Sequence, residues 1–302
     1  MAHANPSIGW ELYRSFLGVL QEGSLSGAAR ALGVAQPTVG RHIAALEKSL
    51  HLVLFTRSPT GLLPTESALA LRMHAESMES IAAALERTAA SQGVGIKGVV
   101  RVTASDVIGV EVLPTVIARL RREHPDLKIE LVLTNRVQDL LRREADIAVR
   151  MTPPRQEKLI ARRVGKIELG LHATRQYLAE HGTPGNITEL SDHTLIGFDQ
   201  ETAFIRSARK SLPVLSRETF SVRTDSDLAQ LALIRAGAGI GACQVPIARR
   251  NDTLVRVLQR QIAFSMETWI TMHEDLRNRP GCRVTFEALV AGLQQHIASA
   301  RS

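Results

Sequence analysis

The chain has 302 residues, 44% of them hydrophobic and 22% charged, with mean hydropathy near zero. Those values exclude a wholly disordered chain and a bundle of membrane helices, and the length leaves room for two or three domains with sizeable cores. The formal charge is +7, yet residues 1–93 hold 7 basic and 7 acidic side chains while residues 94–166 hold 15 and 9, so net charge nominates no nucleic-acid-binding end.

Met1 to Pro6 carries neither the basic start nor the apolar run of an export signal, and a cytoplasmic location is expected. From Trp10 to Gln21, Leu12, Phe16 and Leu20 recur every four residues and predict an amphipathic helix that Gly23 ends. Ser24 or Ser26 can cap a second short helix, whose small Ala28 and Ala29 admit a close neighbour before a turn at Gly33-Val34. A third helix over Gln36 to Ser49 opens with Pro37 in its first turn, where a missing N–H costs nothing, and buries Val39, Ile43 and Leu46. That leaves Gln36, Pro37, Thr38, Arg41 and His42 facing out at the helix start, the part of a recognition helix that meets base edges and phosphates. A helical hairpin with a few solvated polar residues has the same spacing.

Leu52, Leu54 and Phe55, then Arg57, Pro59, Thr60 and Gly61, then Leu62-Leu63 read as a two-stranded wing. After Pro64, Thr65 can cap a long helix to about Ser91, in which Ala68, Leu71, Ala75, Met78, Ala82, Leu85 and Ala89 alternate by three and four. Such a heptad seam predicts a partner helix, with burial against its own domain as the alternative, and Leu71, Ala75, Met78, Ala82 and Leu85 are the expected dimerisation residues. Ser91 to Gly95 is a polar, glycine-containing junction.

Together these motifs resemble the LysR-type transcriptional regulators: Ala28-Ala29, Gln36-Pro37, Arg41, Leu46-Glu47 and Leu54-Phe55-Thr56-Arg57 match the family pattern. Ala35 and Gly40 stand where Ser is usual, His42 where Gln or Arg is common and His51 where Gly is common, and the wing lacks its usual second basic residue. The resemblance implies a winged helix-turn-helix over residues 1–65, whose DNA-binding set is Ser26, Gln36, Pro37, Thr38, Arg41, His42, Arg57 and Thr60. It also implies a linker helix over 66–93 and an effector-binding domain over 94–302.

From Gly98 onward, short apolar strands alternate with helices. Val99–Ala104, Lys128–Leu133 and Ala145–Arg150 read as strands, with helices over Val112–Arg122 and Val137–Arg143. A second set of strands follows at Leu159–Val164, Glu168–Ala173, Thr194–Phe198, Phe220–Thr224, Gly239–Cys243, Leu254–Val257 and Thr268–Met272, with helices at Arg175–His181, Leu228–Ala236, Pro246–Arg250 and Gly281–Ser299. These are βαβ units on a largely parallel sheet, an α/β class. The pattern resembles the family's two-lobed effector-binding domain, itself like type 2 periplasmic binding proteins. That resemblance implies lobe I over 94–162 and 269–302 and lobe II over 163–268.

Ligands of open α/β sheets sit beyond the carboxyl ends of strands. That rule selects Ser105, Asp106, Thr134 and Asn135 on one side and Phe198, Thr224 and Gln244 on the other. Free amides with Ser, Thr and Gln suit a small anion, the expected effector, whereas Asp106 suits a cationic or hydroxylated one.

The expected partners are thus double-stranded DNA bearing an inverted repeat, a small-molecule effector, a second or fourth copy of the chain, and RNA polymerase; no cofactor, metal, membrane or enzymatic activity is expected. Cys243 and Cys282 are too few for a disulfide framework and are expected as buried small hydrophobes. Leu228 to Ala248, broken by Gln230, Arg235 and Gln244, reads as core rather than a span. Gly237, Gly239 and Gly241 follow a helix and enter a strand, the reverse of a dinucleotide loop, and His273-Glu274-Asp275 lacks metal-ligand spacing. A solute-binding protein without a DNA role is the alternative; it leaves the wing and heptad unexplained.

Overall fold

A computed structural model describes residues 8–59, 61–90, 95–135, 144–154, 159–201, 205–206 and 215–300. Thr60, most of the expected junction and the helix expected over Val137–Arg143 lie outside the described residues. The described chain falls into two compact units that divide between Glu86 and Arg87.

The first unit contains α1 (Trp10–Glu22), α2 (Leu25–Leu32), α3 (Gln36–Leu50), the hairpin β1 (Phe55–Ser58) and β2 (Gly61–Pro64), and most of α4 (Glu66–Ala90). Phe16, Leu17 and Val19 of α1 pack with Ala28 and Ala29 of α2 and with Val39, Ile43 and Leu46 of α3. Gly23 ends α1 in the left-handed region at φ 65°, and Ser24, not Ser26, caps α2 by accepting from Gly27 N at 3.1 Å. Ala35 gives α3 no side-chain cap.

Two contacts join the helices to the wing. The Glu47 carboxylate accepts from the backbone N–H of Leu54 at 2.7 Å and of Phe55 at 3.3 Å, which fixes the start of the hairpin. Leu62 N donates to Gly23 O at 2.8 Å, and a Cβ on Gly61 would stand 2.5 Å from that same oxygen. Only glycine fits there.

In α4, Thr65 Oγ1 accepts from Ala68 N at 3.2 Å, the expected cap. Ala68 and Ala75 are buried in the unit's own core, with half-buried Leu71 packed on it. The first half of the seam therefore faces inward, and the apolar side chains left exposed are Leu69, Met73, Met78, Ile81 and Leu85. Periodicity alone cannot separate these outcomes, because a helix lying on its own domain and one lying on a partner both repeat close to 3.5 residues.

The second unit carries one sheet ordered β4-β3-β5-β11-β6-β9-β7-β8, with β10 also paired to β6. Here β3 is Gly98–Ala104, β4 Leu127–Leu133, β5 Ile147–Arg150, β6 Leu159–Thr174, β7 Leu195–Gly197, β8 Val222–Arg223, β9 Ile240–Gln244, β10 Leu254–Val257 and β11 Phe264–His273. Parallel β3, β4 and β5 pack with α5 (Asp106–Glu111), α6 (Leu113–Glu123) and α10 (Pro280–Ala298) around Val102, Leu113, Ile147, Ile270, Phe286 and Leu289, the core of lobe I. Lobe II holds α7 (Arg175–His181), α8 (Asp227–Arg235) and α9 (Val245–Ala248), with cores around Leu171, Leu195, Phe220 and Ile240 and around Leu231, Ile234 and Ile247.

The lobes share two long antiparallel strands, β6 and β11. The two strands expected at Leu159–Val164 and Glu168–Ala173 are therefore one strand of 16 residues, because β11 pairs across the interval between them and a register shift at Thr268/Trp269 absorbs the irregularity. The helix expected over Val112–Arg122 is α6, and a short helix that was not expected, α5, precedes it with Val112 between the two. The strand expected over Phe220–Thr224 is reduced to Val222–Arg223 behind a 3-10 turn. Gly237 follows α8 at φ 78°, and a Cβ on Gly239 would meet Thr194 O at 2.3 Å, in keeping with a helix end and a tight approach. Both cysteines are buried, and no described helix is long and apolar enough to cross a membrane.

His51 ends α3 in the left-handed region at φ 55°, where a side chain costs about 1 kcal/mol and glycine is at ease. His51→Gly is expected to raise the thermal midpoint of the first unit, whereas Gly61→Ala lowers it by forcing the wing off Gly23. Calorimetry that finds the two variants unfolding alike would contradict this account.

Candidate functional site

In the first unit, the start of α3 turns Val39, Ile43 and Leu46 inward and leaves Gln36, Pro37 and Arg41 exposed. Thr38 is half-buried, and Arg41 Nη2 donates to its Oγ1 at 3.4 Å. Ser26 on α2 and Arg57 on β1 are also exposed. His42 differs from these: its Nδ1 shares a hydrogen bond of 2.7 Å with Ser15 Oγ of α1, so one ring nitrogen is committed inside the bundle. Val34, which sequence reasoning treated only as a turn residue, is an exposed apolar side chain two residues before Gln36. A large aliphatic group in a tight turn, unclaimed by any helical stripe, was the available sign.

The second unit brings four of the expected effector residues together. Thr134 N donates to Ala104 O at 2.9 Å, which sets Thr134 and Asn135 beside Ser105 and Asp106 at the carboxyl ends of β3 and β4. Asp106 N donates to Asn135 Oδ1 at 3.3 Å, and Asn135 Nδ2 donates both to Asp106 Oδ2 at 3.2 Å and, across the cleft, to Asp227 Oδ2 at 3.0 Å. Asp227 was missed, although it opens α8 just after Thr224 and obeys the same carboxyl-end rule. Burial raises its pKa, and the Asp106 charge adds to that rise against the Asn135 hydrogen bond.

Thr224 accepts from Ser226 N at 3.2 Å in the loop entering α8. Phe198 lines an apolar cavity inside lobe II. Gln244 is buried: its Oε1 accepts from His296 Nε2 at 2.9 Å.

That last contact belongs to a network between the lobes. Arg250 Nη2 donates to His296 Nδ1 at 2.7 Å, which fixes a neutral ring with its proton on Nε2. Arg250 Nη1 donates to Glu111 O at 2.9 Å, and the Glu111 carboxylate takes both Arg235 nitrogens, at 2.7 and 2.8 Å. The Arg235 guanidinium holds Glu111 below the usual carboxylate range. The network joins α5 and α10 of lobe I to α8, β9 and α9 of lobe II.

A further cluster fastens the last turn of α4 to lobe I. Asp146, 1% exposed, accepts from Arg101 N at 2.8 Å and pairs with Arg87 Nε at 3.3 Å. Arg279 Nη1 lies 3.9 Å away, and Arg279 Nη2 donates to Arg87 O at 3.1 Å.

Burial, reinforced by the Arg250 cation, lowers the His296 pKa to about 4, and burial does the same for His172, whose Nδ1 donates to Gly170 O at 2.9 Å. Both rings fold neutral while the unfolded chain titrates near 6.5. Their contribution is therefore whole above about pH 6.5 and is lost as pH falls toward 4. The second unit should melt at progressively lower temperature across that window, and His296→Gln should flatten the slope. An unchanged slope in that variant would exclude His296 as a cause.

Residues 93–294 match the LysR substrate binding domain family, and residues 10–69 match the bacterial regulatory helix-turn-helix protein, lysR family. The chain is 30% identical over 186 residues to the HTH-type transcriptional regulator CrgA of Neisseria meningitidis, a match covering 61% of this chain and 62% of CrgA. The chain spans about half to three fifths of the length of such relatives, 52% for a regulator from Xanthomonas campestris. Among solved structures, the full-length Vibrio cholerae virulence activator AphB has a similar fold, with TM-score 0.62 at 21% identity over 94% of this chain and 99% of AphB. Full-length CbnR in complex with its target DNA has TM-score 0.67 at 18% identity over 97% of this chain and 99% of CbnR. With both domains matched along most of its length, the chain belongs to the LysR family of transcriptional regulators.

Proposed function

We propose that this regulator reads an inverted-repeat operator as a dimer or tetramer and answers to a small molecule held between lobes I and II. The observation that carries the DNA reading is the exposed start of α3, where Gln36, Pro37 and Arg41 project from a helix whose opposite face is fully claimed by the core. Arg can take guanine through two bonds and Gln can take adenine, while exposed Val34 suits a thymine methyl. Ser26 and Arg57 flank that surface as phosphate contacts, with Thr60 beside Arg57 in sequence. His42 acts as a neighbour of the DNA through the part of its ring not bound to Ser15. CbnR, of the same fold, has been crystallised on its target DNA, which supports the reading.

In the cleft, Ser105, Asp106, Thr134, Asn135 and Thr224 face the effector. An anion there would meet Asp106 together with Asp227, so the paired carboxylates favour amine or hydroxyl groups over the anionic effector that free amides alone suggest. Residues 1–65 form the reader, 66–93 the linker helix and 94–302 the effector-binding domain, in a cytoplasmic protein acting beside RNA polymerase. Pairing runs through the exposed α4 side chains Met78 and Leu85, with Leu69, Met73 and Ile81; Leu71 and Ala75 serve the fold of the unit, and Ala82 lies between.

Genome-wide mapping of bound DNA identifies the operator. On that operator, Arg41→Ala is expected to cost about 1 to 3 kcal/mol and to relax base preference at one position. Arg57→Ala should weaken every sequence alike and flatten the salt dependence. A protein that ignores all genomic fragments at low ionic strength would overturn the reading. Leu85 is 72% exposed, so Leu85→Asp should lower the sedimenting mass without loss of helix content, and an intact dimer in that variant would remove α4 from the interface.

A further inference from the structure

Ser15 lies in the middle of α1 and is 3% exposed, so its side chain is out of reach of a duplex. Its Oγ stands 2.7 Å from Nδ1 of His42, which follows Arg41 on α3 and lies one helical turn beyond Thr38. We infer that Ser15 is a positioning residue: it fixes the tautomer and the turn of the His42 ring, so that α3 offers the duplex one neutral N–H donor, from Nε2. This role rests on the proposed DNA reading and is exerted through His42 alone.

The contact decides where the ring carries its proton. A serine hydroxyl inside a helix commonly donates to the carbonyl one turn back. Here, among the described residues, His42 Nδ1 is the only partner of the Ser15 hydroxyl. With a proton on Nδ1 the ring would be the donor, and the buried Ser15 O–H would be left without an acceptor, a costly state. Ser15 therefore donates, Nδ1 accepts, and the neutral ring holds its proton on Nε2. The His42 side chain is half-buried, and Nε2 has no partner among the described residues.

A group that only donates has a narrow choice on DNA. It can give to guanine O6 or N7, adenine N7, thymine O4 or a phosphate oxygen, and it cannot accept from the amino groups of cytosine or adenine. Glutamine in this place would do both, and arginine would bring charge and further donors. His42 thus seeks one acceptor without the counterion release that Arg57 brings.

The test uses full-length protein at about pH 8, where a free imidazole is neutral. Long-range proton–nitrogen correlation spectra of the histidine rings should show His42 protonated on Nε2 alone. Ser15→Ala should turn that signal into a mixture of tautomers without loss of helix content. On the operator found by genome-wide mapping, Ser15→Ala and His42→Ala should each weaken binding about fivefold, the scale of one hydrogen bond. The double variant should lose no more than either single one, because Ser15 acts only through His42. Support comes either as a loss tied to one base position, which marks a base acceptor, or as an equal loss on all sequences with an unchanged salt slope, which marks a phosphate oxygen. Losses that add in the double variant, a proton on Nδ1, or a native tautomer in Ser15→Ala overturn the proposal. A protein that binds no DNA overturns the DNA reading and this role with it, whereas intact binding with the proton on Nδ1 overturns this role alone.

Discussion

The buried carboxylate of Asp146 is the constraint on which the architecture of the second unit turns. It stands at the amino end of β5 and collects a backbone amide from β3, the Arg87 guanidinium from α4 and a more distant Arg279 from the head of α10. In an interior this dry, an ion pair adds little net stability, but removing one partner leaves a charge stranded at a cost of about 3 to 5 kcal/mol. The cluster therefore works as a specificity device: it admits one placement of the last turn of α4 on lobe I and penalises others. Because Arg279 also donates to Arg87 O, the helix end is held through its backbone as well as its charge.

Lobe I thereby holds the last turn of α4 within its own unit, and the same lobe supplies Asp106 and Asn135 to the cleft. Apart from the buried His296–Gln244 hydrogen bond, the contacts from lobe I to lobe II are of another kind. Glu111 with Arg235 and Asn135 with Asp227 lie in partly exposed positions, where an ion pair contributes about 0 to 1 kcal/mol and can be exchanged for water or ligand. A rigid anchor on one side and weak, exchangeable contacts on the other are what a two-state element needs if a ligand of modest differential affinity is to shift it. The long strands β6 and β11 limit such a shift to bending, since their paired backbones do not come apart.

The first unit was legible in sequence because its determinants are local: Gly23, Gly33 and Pro37 set helix ends within a few residues, and the stripes of α1 and α3 are unambiguous. Even the departures were informative, since His51 sits where the chain requires a left-handed residue. The heptad was legible as a pattern but not as an interface, because Ala68 and Ala75 repeat on schedule while packing inward. In the second unit the carboxyl-end rule grouped Ser105, Asp106, Thr134 and Asn135, and the parallel β3–β4 pair does bring these four side by side. It could not place Gln244, because whether a strand end opens on a cleft or on a buried histidine depends on α10, some fifty residues further along the chain. Burial and long-range pairing carried no local mark in either case.

The cleft carboxylates show how a sequence feature can weigh both ways until a partner is found. Asp106 alone leaves the charge of the effector open, since one carboxylate can turn away from a ligand. Once Asn135 is seen to bridge it to Asp227, turning away would break the hydrogen bond from Asn135 Nδ2, so the two carboxylates are held on one amide. The raised pKa of Asp227 means that folding this arrangement is opposed by its own charge at neutral pH, and the opposition is relieved by a proton, by an amide in its place, or by a bound cation. A ligand that brings positive charge or hydroxyl donors to this point therefore stabilises the bridged cleft more than an unbridged one, which is the differential affinity a switch requires.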